Sequence, residues 1–177
     1  MEYRLIRSKR KTVSIQITPG GEILVRCPQR MKKEAVEAFV KSKEDWIRRH
    51  MPDPGQVLPA FSQAELLELK RQAGEDLPGR VARLAKILGA DYGTVTLRYQ
   101  KTRWGSCTGK GNLNFNCLLM LTPPQVRDYV VIHELCHRKH LNHSAQFWAE
   151  VERHCPDYRV HRKWLKDNGG SLISRLP

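Results

Sequence analysis

The residues most able to do chemistry in this chain are His133-Glu134-Leu135-Cys136-His137, two histidines four positions apart with a glutamate beside the first. On a helix, residues at that spacing lie one turn apart on the same face, so both imidazoles can share one ion. Zinc accepts imidazole nitrogen at about 2.0–2.1 Å, and its catalytic sites usually take three protein ligands, leaving the fourth position to water. Glu134 is then placed to take that water's proton rather than to bind the metal. A pair of core histidines satisfied by backbone carbonyls is the plainer alternative. It leaves an ionisable Glu134 inside an otherwise apolar turn, which is costly without a partner or a purpose.

A third ligand is expected downstream, where the chain offers His140 and His143. His140 continues the helical stripe, but at 1.5 Å rise per residue it stands about 10 Å along the axis from His133, too far for one ion. His143 is therefore preferred. It follows Asn142, a residue that tolerates the left-handed conformation suited to turning the chain back toward the metal. The spacing His133 to His143 equals that in H-E-x-x-H-x-x-G-x-x-H, with His140 standing where that pattern has glycine. His140 itself reads as a surface residue, and His154 and His161 as structural or exposed.

These side chains need a helix to carry them. Thr122 as cap, Pro123 at the first helical position and Gln125 three residues after the cap mark its start, and the apolar run Val126 to Leu135 makes it a core helix. Ser144 is expected to cap a following helix whose Phe147, Trp148 and Val151 pack behind the site. Ahead of them, Ser62 and Glu65 form a capping box, and Leu66, Leu69, Ala73, Leu77, Val81, Leu84 and Leu88 step by threes and fours to Gly89, with a possible kink at Pro78. Val95 to Tyr99 and Leu113 to Cys117 alternate as two strands. The second is taken as an edge able to pair with an extended peptide. Trp104, Gly105 and Ser106 read either as a substrate-facing loop beside that strand or, preferred for Trp104, as a core plug; Cys107, Cys117 and Cys136 read as small core residues.

Toward the N-terminus, Thr12 to Ile17 alternates strictly, Pro19-Gly20-Gly21 turns, and Ile23 to Val25 returns: a hairpin, joined by Tyr3 to Ile6. Lys32 to His50 follows as one amphipathic helix, stopped by Pro52-Asp53-Pro54-Gly55. The Pro-rich stretch to Pro59 divides the chain into an N-terminal hairpin and helix unit, 1–59, and a main body, 60–177. At 177 residues there is room for one compact domain with a small appendage.

A net charge of +13 attracts polyanions, so nucleic acid or nucleotides join peptides as candidate partners, against the plain reading of a solvated basic surface. The cations cluster at Arg7 to Lys11, at Arg98, Lys101, Arg103 and Lys110, and at Arg159, Arg162, Lys163 and Lys166. No apolar run is long enough to span a bilayer and no secretory leader is evident, so a cytoplasmic protein without membrane association is expected. Five scattered cysteines with no C-x-x-C pair read as reduced thiols.

With RSKRKTVSIQI near the start, TRWGSCTGKGNLNFN from Thr102, VIHELCHRKHLNHSAQFW from Val131 and CPDYRVHRKWL from Cys155, the chain resembles the YgjP-like metallopeptidases, predicted metal-dependent hydrolases akin to the SprT and Wss zincins. The resemblance implies an α+β, zincin-like fold: a small antiparallel sheet packed on the H-E-x-x-H helix, in addition to the N-terminal unit. It also implies Zn2+ held by His133, His137 and His143, with Glu134 as general base. Three activities stand open: a metallopeptidase, a nucleoside triphosphate pyrophosphatase, and a nucleic-acid-associated protease of the SprT/Wss type. The stabiliser of the oxyanion is sought in Tyr158 or in Arg159 to Lys163, without assignment.

Overall fold

The computed structural model describes residues 1–18, 20–51 and 58–177, which form two compact units, Met1–Pro59 and Ala60–Pro177. Pro19 of the expected turn and the expected helix stop at Pro52 to Gly55 lie outside the described residues.

In the first unit, β1 (Arg4–Ser8), β2 (Ser14–Ile17) and β3 (Ile23–Pro28) form a sheet of order β1-β3-β2. β3 is central, parallel to β1 and antiparallel to β2, with Ile17 opposite Ile23. Its period of two puts Ile23, Val25 and Cys27 on one buried face. Val36 and Val40 of α1 (Lys33–Ser42) and Ile47 of α2 (Glu44–His50) complete that small core. The single helix expected over Lys32 to His50 is thus two. Ser42 Oγ donates to Phe39 O at 2.7 Å and the Lys43 N–H bonds Val40 O, three residues back, a tightened turn that ends α1.

The second unit is built on α3 (Gln63–Leu88), which the Ser62/Glu65 capping box opens and Gly89, at φ 59°, closes in the left-handed region. The helix continues through Pro78 and buries Leu69, Ala73, Leu77, Val81, Leu84 and Leu88. Its stripe packs on α4 (Pro124–Cys136) and on a 3-10 turn at Cys117–Leu121. Strands β4 (Val95–Arg98), β5 (Gly105–Cys107) and β6 (Leu113–Asn116) make a second sheet of order β4-β6-β5, and α5 (Ala145–His154) and α6 (Tyr158–Ile173) complete the unit. Among the described residues no helix is long and apolar enough to cross a membrane.

Four further expectations need correction. Neither sheet is purely antiparallel, because β6 pairs parallel with β4 and antiparallel with β5, as β3 does with its neighbours. β6 is also central rather than an edge, with Leu113 and Phe115 fully buried, so β5 is the edge strand beside α4. It stops at Asn116, one residue short of Cys117. The Asn116 amide donates to Gln100 O and Arg103 O while its Oδ1 accepts the Leu118 N–H, turning the chain. Finally, Thr122 does not cap α4: its hydroxyl donates to Leu119 O at 2.8 Å, Pro123 takes the cap position with no side-chain bond, and Pro124 begins the helix.

Candidate metal centre

The helix α4 is buried on nearly every side, and His133, Glu134 and His137 sit in its last turn and at its C-terminal cap. From there Arg138 and Lys139 turn back by hydrogen bonds to Leu135 O and Cys136 O, and the chain runs without helix or strand to Ser144. That short irregular segment carries His143 back to the helix. Asn142 contributes without a left-handed backbone, since no described non-glycine residue has positive φ. Its Oδ1 accepts the Ser144 N–H instead, and Ser144 Oγ in turn accepts the Phe147 N–H to start α5.

The three imidazoles form a nearly equilateral triangle, with ring centroids 5.1, 5.0 and 4.8 Å apart, and one ligand nitrogen from each lies within 4.8 Å of the others. His133 Nε2 and His143 Nε2 face one another at 3.0 Å. Two nitrogens bound tetrahedrally at about 2.0–2.1 Å stand roughly 3.3 Å apart, so the arrangement fits a zinc-sized ion with little movement. The tautomer fits as well. His137 Nδ1 is 3.0 Å from His140 O, a carbonyl that can only accept, so the proton sits on Nδ1 and leaves Nε2 free for a metal.

Phe147 lies beneath all three rings, its centroid 4.9, 4.6 and 4.8 Å from those of His133, His137 and His143. Trp148 sits 5.7 Å from His133 and His143, stacks on Tyr158, and carries Arg162 over its face. Burial, followed by the neighbouring imidazoles and the Arg162 charge, pushes the His133 pKa down to about 3 and lowers that of His143. Neutral imidazoles are the form a metal requires.

Glu134 is only 6% exposed. Burial raises its pKa to about 8 against the opposing pull of the Arg103 charge and the Cys107 backbone. Its side chain lies against Gly105 of β5, where a Cβ would come within 2.7 Å of Glu134 Cγ and Oε1. Only glycine leaves room for this carboxylate between helix and strand. A cleft of about 340 Å³ opens here, bounded by Arg103, β5, the three histidines, Glu134 and the exposed Leu141. A smaller cavity of about 180 Å³ shares His133, Glu134 and Gly105 and extends over Trp104, Tyr129, Val130 and Leu165.

His133, Glu134, His137 and His143 are thus brought together, whereas His140 enters through its carbonyl. His154 bonds Glu150 at 3.3 Å, and His161 lies 6.4 Å from the Tyr129 ring. Tyr158 is buried under Trp148, Arg159 pairs with Glu152 at 3.0 Å and Lys163 with Asp167. Sequence reasoning places Gly105 in a substrate-facing loop and Arg103 in a basic cluster, and misses that Gly105 seats Glu134 and that the Arg103 charge acts on it. The glycine of the Arg103-Trp104-Gly105 run was the only available signal.

Residues 11–67 and 54–168 match the profile of the YgjP-like, metallopeptidase domain. The chain belongs to this family. Two crystal structures of metallopeptidase zymogens are similar to the YgjP-like chain: abylysin of Pyrococcus abyssi, at 25% identity over 49% of this chain and 92% of that one, and jannalysin of Methanocaldococcus jannaschii, at 18% over 50% and 94%. The TM-score is 0.42 for each. Among curated proteins nothing matches it. Membership of the YgjP-like family makes the protein a metal-dependent peptidase in kind.

Proposed function

We propose that the protein is a zinc peptidase in which His133, His137 and His143 hold the ion and Glu134 is the general base. The observation that carries this reading is the convergence of three imidazoles beside a buried carboxylate, next to an edge strand. When bound, zinc would polarise the scissile carbonyl and make water acidic enough to lose a proton near neutral pH. Glu134 takes that proton and returns it to the leaving amine.

The substrate is an extended peptide. Trp104 O accepts the Asn116 N–H of β6 and the Thr108 N–H bonds Asn112 O just ahead of it, so by alternation the backbone groups of Gly105 and Cys107 point away from β6, where the Cys107 backbone already bonds Glu134. A peptide lying there gains strand-like hydrogen bonds beside Glu134. The 180 Å³ cavity, with walls of Trp104, Tyr129, Val130 and Leu165, takes an apolar side chain next to the scissile bond. Arg103 supplies positive charge near the reacting carbonyl. On this reading residues 60–177 are the zincin-like hydrolase domain and 1–59 an accessory unit. The five free thiols suit a reducing, cytoplasmic compartment. A nucleoside triphosphate is the poorer fit, because the matching family is one of peptidases and an edge strand suits a polypeptide.

The test is zinc content together with hydrolysis of an unstructured protein, for the wild type and Glu134→Gln. The variant is expected to retain zinc and lose activity by about 10²–10⁴-fold. Protein that takes up no divalent metal when zinc is supplied, or a Glu134→Gln variant that hydrolyses at the wild-type rate, overturns the reading.

A further inference from the structure

We propose that one end of the N-terminal sheet is a binding surface for the phosphate backbone of nucleic acid. The parallel strands β1 and β3 both finish there, with Ser8 opposite Pro28, and antiparallel β2 starts there, with Ser14 opposite Arg26. The β1–β2 connection, with Lys9, Arg10 and Lys11, therefore emerges beside the β3–α1 connection, with Arg30 and Lys32. Two basic segments some twenty residues apart in sequence become one surface. Arg7 holds them together: its Nη1 donates to Gln29 O at 3.0 Å and Met31 O at 2.6 Å, and the Gln29 N–H bonds Ser8 O.

No carboxylate lies within ion-pairing distance of these six cations among the described residues, and five of them are exposed. The unit's ion pairs lie elsewhere: Arg4 with Glu22 at the opposite end of the sheet, Lys33 with Glu37, and Arg48 with Glu44. The basic run on α6 differs, since Arg159 and Lys163 are paired and Arg162 rests on Trp148. Unpaired cations crowded at one end repel one another and favour a polyanion whose charges repeat. A membrane surface is the poorer fit. Among the described residues of the unit the exposed large apolar side chains are Met1, Trp46, Met51 and Leu58, none of them in either basic segment, so the surface offers no exposed large apolar side chain to insert among acyl chains. Phosphate contacts of this kind carry no base sequence, so little sequence preference is expected.

Fluorescence anisotropy of the full chain with labelled duplex DNA and with single-stranded RNA, across a salt series, tests this. Each phosphate neutralised contributes a slope of about −0.9 to log K against log salt on duplex DNA and about −0.7 on single strands. The variant Lys9→Gln/Lys11→Gln/Arg30→Gln should bind about tenfold or more weakly at low salt, with a slope shallower by about 2–3. Lys70→Gln/Lys86→Gln/Lys166→Gln, which removes the same charge from the second unit, should bind as the wild type does. Binding of DNA, RNA or both in this pattern supports the proposal and names the source of the phosphates. It is overturned if neither binds at low salt, or if both triple variants weaken binding equally. Tighter binding to phosphatidylserine vesicles or to polyglutamate than to either nucleic acid also overturns it. Zinc content and peptide hydrolysis should be unchanged in the first variant, so the outcome stands apart from the peptidase reading.

Discussion

Replacing Gly105 by alanine adds one methyl group where β5 meets α4, at a position 29 residues away in sequence from the carboxylate it would strike. The new carbon would lie 2.7 Å from Glu134 Cγ and Oε1 and 3.0 Å from Cδ. Carbon atoms make contact at roughly 3.5 Å, so strand or carboxylate must give way by about 0.8 Å. Glu134 is buried and its helix is packed nearly all round, so the side chain cannot simply swing into solvent. A displacement near 1 Å of a group that transfers a proton costs about 10²-fold, or about 2.7 kcal/mol in activation free energy. Gly105→Ala is therefore expected to lower kcat/KM for an unstructured protein substrate about a hundredfold while zinc stoichiometry stays at the wild-type level, since no histidine is touched. Activity within threefold of the wild type refutes the reasoning, because Glu134 would then not need its seat. Loss of zinc refutes it differently, by showing that the damage reaches the imidazoles.

His143→Ala should lose zinc on gel filtration, while His140→Ala keeps it, because His140 supplies only the carbonyl that accepts from His137; plasma emission spectrometry of the two proteins distinguishes these outcomes. Gly169→Ala would put a Cβ 2.9 Å from the Trp104 ring, and urea unfolding should show a loss of about 1–3 kcal/mol through overpacking. Arg80 hydrogen-bonds Asp76 and holds its carboxyl below the ordinary value. A depressed folded-state pKa gives stability that is present above the unfolded value, near 4, and lost as pH falls through the folded one. Asp76→Asn should therefore cost about 2 kcal/mol at neutral pH and progressively less in acid, by urea titration at each pH.

What is legible in the sequence is what depends on near neighbours. The capping box at Ser62, the left-handed stop at Gly89 and the helix bearing His133 and His137 follow from spacings of three or four residues. The return of His143 spans only ten. The order β4-β6-β5 is hidden because Leu113–Asn116 alternates as any half-buried strand does, and its two partners are chosen by packing far along the chain. The start of α4 slips by one residue because Pro123 and Pro124 fit the first helical turn equally well; the Leu119 carbonyl decides by occupying the Thr122 hydroxyl. The contact of Gly105 with Glu134 leaves only the glycine itself as a local trace.

The unequal mounting of the three imidazoles has a kinetic consequence. His133 and His137 stand on a helix locked into the core, whereas His143 is exposed and projects from a stretch with neither helix nor strand. Exchange of the ion with solution should then proceed by release of His143 first, with the helical pair keeping a two-point hold. If the three imidazoles hold an ion, its lifetime would be set by how firmly Ser144 and Phe147 anchor that arm at the start of α5.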